Sequence, residues 1–159
     1  LCPLMPLAVG QVFDLGGVRA GISICYDVEF PLPVRAQWEA GARLLLVPSS
    51  TDTAQGAARV RAHCMARAGE NAVVVAQAVP AGQAGWSPAL DSNTGQAAVL
   101  QATMAGAGVA SVQVLAQTSD DEVWAMAEVD LATARPALLP RPGDDWLPRV
   151  SVLAGLRQA

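Results

Sequence analysis

Three aliphatic runs dominate the first half of the chain, and apolar residues recur at helical intervals between them. Val18 to Cys25 (VRAGISIC), Arg43 to Pro48 (RLLLVP) and Val73 to Ala78 (VVVAQA) are short and nearly continuous, as buried strands are. Behind Pro31 and Pro33, where a first helical turn tolerates proline, Val34, Trp38 and Ala42 keep a helical period, and Gly41 is placed to stop that helix. Val60, Cys64 and Ala68 form one stripe of a second helix predicted over 57–71. Upstream, Val12-Phe13-Asp14 turns through Leu15-Gly16-Gly17 into the first long run, a hairpin pattern. Strand, helix, strand, helix, strand predicts an α/β fold with crossovers onto a largely parallel sheet. Wholly aliphatic strands imply that both faces of that sheet are covered.

The second half changes character. Gly82 to Gly95 is rich in turn residues, Ala97 to Leu100 reads as a short strand, and Ala102 to Gly108 reads as a loop or hairpin rim. Val109 to Leu115 is predicted to pair with Val123 to Val129 through a turn at Thr118-Ser-Asp-Asp121. Asp130 to Arg135 reads as a short capped helix. From Pro140 no period is visible, so residues 1–139 are expected to form the domain and 140–159 a tail packed on a neighbour.

Composition narrows the function. A chain of 159 residues can bury the core of one domain, and 52% apolar against 15% charged residues argues against disorder. A net charge of -4 with 4% aromatics argues against a nucleic-acid surface. No apolar run approaches the roughly 18 residues of a membrane span, so no membrane partner is expected. Cys2, Cys25 and Cys64 are widely spaced without a CxxC, which fits a reducing cytoplasm better than a disulfide scaffold or a zinc ribbon. One histidine, His63, cannot build a histidine-based metal site, and no cofactor is expected. All ten basic residues are arginine, so the chain has no lysine. It starts at Leu1, which reads as a cut.

The chemistry centres on "GISICYDVEFPLPVR", residues 21–35. A strand ending in Cys25, followed by a turn and a helix, is the layout of a nucleophile elbow. There the turn lifts the side chain out of the sheet and backbone N–H groups beyond it face an oxyanion. Gly21-x-Ser23-x-Cys25 is close to the serine-hydrolase elbow but carries cysteine where that motif has glycine. The blander reading makes Cys25 a small buried hydrophobe, as Cys64 is expected to be in mid-helix. His63 is a candidate base for a Cys–His hydrolase. Asp27 and Glu29 are candidates for acid or base work, or for capping the next helix.

The blocks "ISICYDVEFP…R", "GARLLLVPSS" and "RVRAHCMARAGENAVVV" resemble the carbon–nitrogen hydrolase (nitrilase) superfamily. The matching positions are Cys25, Tyr26, Asp27, Phe30, Pro31, Arg35, Gly41, Ala42, Pro48, Ser49, Arg67, Ala68, Glu70 and Asn71. Asp91 and Gly95 fit a D-x-x-G turn, and Ala127 to Leu131 a closing strand. The resemblance spans about residues 11 to 135 and implies part of a four-layer αββα sandwich. It implies a Glu–Lys–Cys triad acting through a thioester on a small amide or nitrile, an amide being the expected substrate. Cys25 carries over as nucleophile, the backbone at Tyr26 as an oxyanion donor, and Glu29 as substrate rim or structural. Arg35 and the Glu70–Asn71 pair carry over as packing residues. The family's glutamate and lysine lie upstream of the cysteine segment, so the chain is expected to be an N-terminally truncated fragment, inactive alone. The partners expected are the missing N-terminal half or further copies of the chain. A non-catalytic interaction protein on a half-sandwich is the alternative. A subgroup of the family fused to an N-terminal acetyltransferase shows a weaker likeness.

Overall fold

The computed structural model describes residues 11–88, 92–105, 108–119, 124–131, 149–154 and 156–157. In chain order the elements are β1 (Phe13–Leu15), β2 (Val18–Ile22), a 3-10 turn (Cys25–Glu29), α1 (Pro31–Glu39), β3 (Leu44–Pro48), α2 (Ala54–Asn71) and β4 (Val74–Ala78). There follow β5 (Pro80–Gln83), β6 (Ser92–Asn93), β7 (Ala98–Ala105), β8 (Gly108–Gln117), β9 (Ala125–Asp130), β10 (Arg149–Ala154) and β11 (Leu156–Arg157).

The three aliphatic runs pair as parallel neighbours, Ala20 beside Leu44 and Leu44 beside Val74. β1 returns antiparallel on β2 through Gly16 and Gly17, whose φ values of 62° and 89° suit a residue without a Cβ. Antiparallel β7 and β8 complete a six-stranded sheet in the order β1-β2-β3-β4-β7-β8. α1 begins on Pro31 and stops at Gly41 (φ 107°), where the Gly41 and Ala42 amides donate to the Trp38 and Gln37 carbonyls. α2 begins at Thr53, whose hydroxyl accepts the Gly56 amide at 3.1 Å, and ends at Ala72 in the left-handed region.

Alternation along the strands separates two cores. On one face Leu45, Val47, Val75 and Leu100 meet Val34 and Trp38 of α1 and Val60, Cys64 and Ala68 of α2. On the other, Val18, Ala20, Leu44, Val74 and Val99 meet Ala125 and Val129 of β9 and the following Leu131. Each such leucine or valine is almost fully buried and contributes about 1.5–3 kcal/mol. Helices, sheet and the β9–β10 pair make three successive layers, part of a four-layer αββα sandwich. Phe13, Leu15 and Ile22 share the face of Val18 and Ala20 yet remain 41–45% exposed, so the second sheet covers this face only in part.

Several expectations need correction. Val109 to Leu115 pairs with β7, not with 123–129, because Ala105 and Gly108 lie opposite each other and fold the small-residue stretch back on itself. The predicted rim at Ala102 to Gly108 is therefore largely strand, and the strand read at Ala97 to Leu100 runs on to Ala105. Alternation marks residues as strand without naming their partner. β9 pairs instead with β10, from a stretch read as an aperiodic tail. β2 ends at Ile22, not Cys25. The turn-rich 82–95 holds the β5–β6 pair. The helix predicted over 130–135 begins on the last residue of β9, and its remainder beyond Leu131 lies outside the described residues, as do Asp91 and Cys2.

Candidate active site

Parallel pairing points the C-terminal ends of β2, β3 and β4 the same way, so the loops that follow them gather at one end of the sheet. The Ser23 amide makes a last bond to the Leu46 carbonyl (2.9 Å), and Ile24 is still extended. Cys25 then turns to φ 49°, one of two non-glycine residues with positive φ among those described. A side chain in that region costs about 1–2 kcal/mol, which the surroundings must hold. They do so from three sides. The Asp27 and Phe30 amides close the turn onto the Ile24 and Asp27 carbonyls, and Val28, fully buried, pegs it into the helix-side core. From α1, Gln37 Nε2 donates to the Ile22 carbonyl at 2.8 Å. Gln37 lies so close over β2 that a Cβ on Gly21 would stand 2.4 Å from its Oε1.

The half-buried Cys25 thiol donates to the Ser50 carbonyl at 3.4 Å. That carbonyl belongs to the loop after β3, where the Ser50 hydroxyl meets buried Asn93 Oδ1 at 2.8 Å and the Thr94 amide donates to the Thr51 carbonyl at 2.7 Å. The strand ends are thus tied together beneath the sulfur. The exposed residues next to it in the chain are apolar or aromatic. Tyr26 and Phe30 meet edge to face at 5.1 Å, both about half exposed, with Ile24 and Leu32 exposed on the same turn and helix start.

The other candidates have different surroundings. Glu29 accepts from Arg59 Nε at 2.7 Å, pinning the turn to α2, so its carboxylate is already engaged. Arg35 pairs with Glu39 and stacks over Trp38, and Arg67 pairs with Glu70, all within their own helices. Cys64 is fully buried, and burial pushes its thiol up to about 12 against the opposing pull of Arg61 and Arg67. A neutral thiol is a poor nucleophile, so Cys64 is core, as expected. His63 follows the α2 backbone about 100° round from Cys64 and has its Nδ1 on the Arg59 carbonyl at 2.9 Å. Among the described residues no group of three or more His, Cys, Asp or Glu side chains could hold a metal ion.

Sequence reasoning did not anticipate Ser50, Asn93 or Gln37 at the site. Ser50 follows the matched Pro48-Ser49 block, which was the available signal. The other two meet the elbow only through folding.

The geometry agrees with relationships found in known proteins. A model of the carbon–nitrogen hydrolase family matches residues 3–137. The probable hydrolase YhcX of Bacillus subtilis (strain 168) is 41% identical over 63 residues, which are 40% of this chain and 12% of that protein. The chloroplastic omega-amidase of Arabidopsis thaliana is 32% identical over 137 residues, 82% of this chain and 34% of its own. Among solved structures, a mutant amidase from Nesterenkonia sp. AN1, with acrylamide added at its active site cysteine, superposes with a TM-score of 0.52 at 31% identity. That match covers 68% of this chain and 37% of the amidase. The chain spans well under half the length of each of these proteins. A strand delivering a cysteine into a strained turn, the αββα layering and a family match over residues 3–137 converge on one assignment: the chain belongs to the carbon–nitrogen hydrolase family.

Proposed function

We propose that the protein containing this chain is an amidase-type carbon–nitrogen hydrolase with Cys25 as its nucleophile. The observation that carries this reading is the left-handed Cys25, whose half-buried thiol stands at the strand ends while Cys64 lies sealed in the core. The sulfur attacks the amide carbonyl carbon, and its proton leaves with the nitrogen as the C–N bond breaks. The resulting thioester is then cleaved by water, releasing a carboxylic acid and restoring the thiol. In this reading the Tyr26 backbone N–H, next after the sulfur, meets the oxyanion, and the Tyr26 and Phe30 rings, which touch edge to face, contact the substrate. These residues hold no lysine and Glu29 is engaged by Arg59, so this reading takes the cation and the base of the reaction from elsewhere in the protein. The amidase and omega-amidase relatives support an amide over a nitrile.

The test uses the full-length protein and a panel of short aliphatic amides. Rapid quenching followed by peptide mass analysis should find the acyl group on the Cys25 peptide. Cys25→Ala should lower kcat by at least about a thousandfold. His63→Ala should leave kcat within about twofold, whereas a Cys–His hydrolase would lose orders of magnitude. An acyl group on another residue, or an active Cys25→Ala variant, would sink the proposal.

A further inference from the structure

A cavity that Cys25 does not line lies beneath the first turns of α2. It measures about 370 Å³, with one wall formed by Ala54, Ala57 and Ala58 of α2 and its polar lining by Arg61, Gln77 and Gln117. Alanines at these positions share a helix face with Arg61, so small side chains open a groove that leads to the guanidinium.

Arg61 is held in place by neutral partners. Its Nη2 donates to the Gln96 carbonyl at 2.6 Å and Nη1 to Gln117 Oε1 at 3.2 Å, while Gln117 Nε2 donates to Gln96 Oε1 at 2.6 Å. These bonds leave at least two of its five N–H donors uncommitted. Among the described residues no carboxylate pairs with it, although Arg35, Arg59 and Arg67 each have one. Burial disfavours the charged guanidinium and lowers its pKa. Gln77, also in the lining, is 1% exposed, and its Oε1 has no hydrogen-bond partner. A buried amide left unsatisfied is uncommon and needs an explanation. The start of α2 adds the positive end of its dipole to the same space.

We propose that this cavity binds a short aliphatic monocarboxylate, its carboxylate on Arg61 and its chain against Ala54, Ala57 and Ala58, with the Gln77 amide completing the polar contact. One cation matches one negative charge, and a phosphate dianion would want a second. The alanine wall suits methylene groups, and the volume holds a molecule of a few heavy atoms. A carboxylate only accepts, so the Gln77 amide, whose oxygen and nitrogen exchange places by rotation, meets it with its nitrogen. The site is independent of the reaction at Cys25.

The experiment titrates sodium butyrate into the full-length protein by calorimetry, with sodium phosphate and sodium chloride as controls. Butyrate should bind with a dissociation constant in the millimolar range or tighter, and phosphate at least about tenfold more weakly. Arg61→Gln should weaken butyrate at least about tenfold. Because that change also breaks the Gln96 and Gln117 bonds, Ala57→Leu, which fills the groove and keeps Arg61, should do the same. Alkylating Cys25 with iodoacetamide fills the space at the sulfur and should leave this binding unchanged, which separates it from product binding at the cysteine. Thermal melts confirm that each variant is folded. Absence of binding up to about 50 mM, equal binding of phosphate, loss after alkylation of Cys25, or indifference to Ala57→Leu would each overturn the assignment.

Discussion

Gly21→Ala places two opposing effects on one atom. At a position whose backbone an alanine can adopt, the exchange stabilises a protein by about 0.4–1 kcal/mol, because it restricts the unfolded chain. Gly21 lies in a regular strand outside the left-handed region, so this gain applies. Against it, the new Cβ would stand 2.4 Å from Gln37 Oε1 and 2.9 Å from its Cδ, inside any real contact. Gln37 is 6% exposed and cannot swing into water without repacking α1. Overpacking costs about 1–3 kcal/mol. Displacing Gln37 also breaks its 2.8 Å bond to the Ile22 carbonyl, a further loss of about 0.5–1.5 kcal/mol. The steric side wins, and a net destabilisation of about 1–3 kcal/mol is expected. Urea denaturation of the full-length protein should show a midpoint lowered by roughly 0.5–1.5 M at an unchanged slope. Gln37→Ala removes the obstruction, so the double variant should be more stable than additivity allows, by at least about 1 kcal/mol. An unchanged or raised midpoint for Gly21→Ala, or strict additivity, would refute the claim that Gln37 clamps β2 below the elbow.

Other outcomes follow from the same geometry. Iodoacetamide at pH 8 should label Cys25 in the folded protein and leave Cys64 untouched until urea is added. A thiol near 12 has only about one thiolate in ten thousand molecules at that pH. The raised Cys64 value favours the folded, protonated form. Its stabilisation is complete below about pH 9, where the unfolded thiol titrates, and is lost progressively up to about pH 12. Cys64→Ala should therefore flatten the fall in stability over that window. Glu29→Gln should lose only about 0.5–1 kcal/mol, and less in about 1 M salt, since Arg59 is more than half exposed. A larger, salt-independent loss in denaturation would show a buried role. Thr53→Ala removes the cap on α2 and should lower stability by about 1 kcal/mol in the same assay.

The parallel half of this fold and its nucleophile segment are legible in the order of residues alone. β2, β3, β4, α1 and α2 each lie within a few residues of where period and punctuation place them. The reason is local: a fully buried strand must be aliphatic throughout, a helix must repeat its apolar face, and proline and glycine mark the ends. Cys25 was legible through the motif around it. Which strand pairs with which is set by packing between distant residues. The alternating residues of β8 fit either neighbour, and β10 shows no period, so their pairings with β7 and β9 rest on contacts between distant residues. The same holds for the site. The strained turn at Cys25 stands on Gln37, Ser50 and Val28, brought together from α1, the loop after β3 and the core. The Arg61 cavity joins α2 to the ends of β4 and β8. Spacing along a chain reports what one element needs; a hydrogen bond across 25 residues or more is settled only when the layers pack.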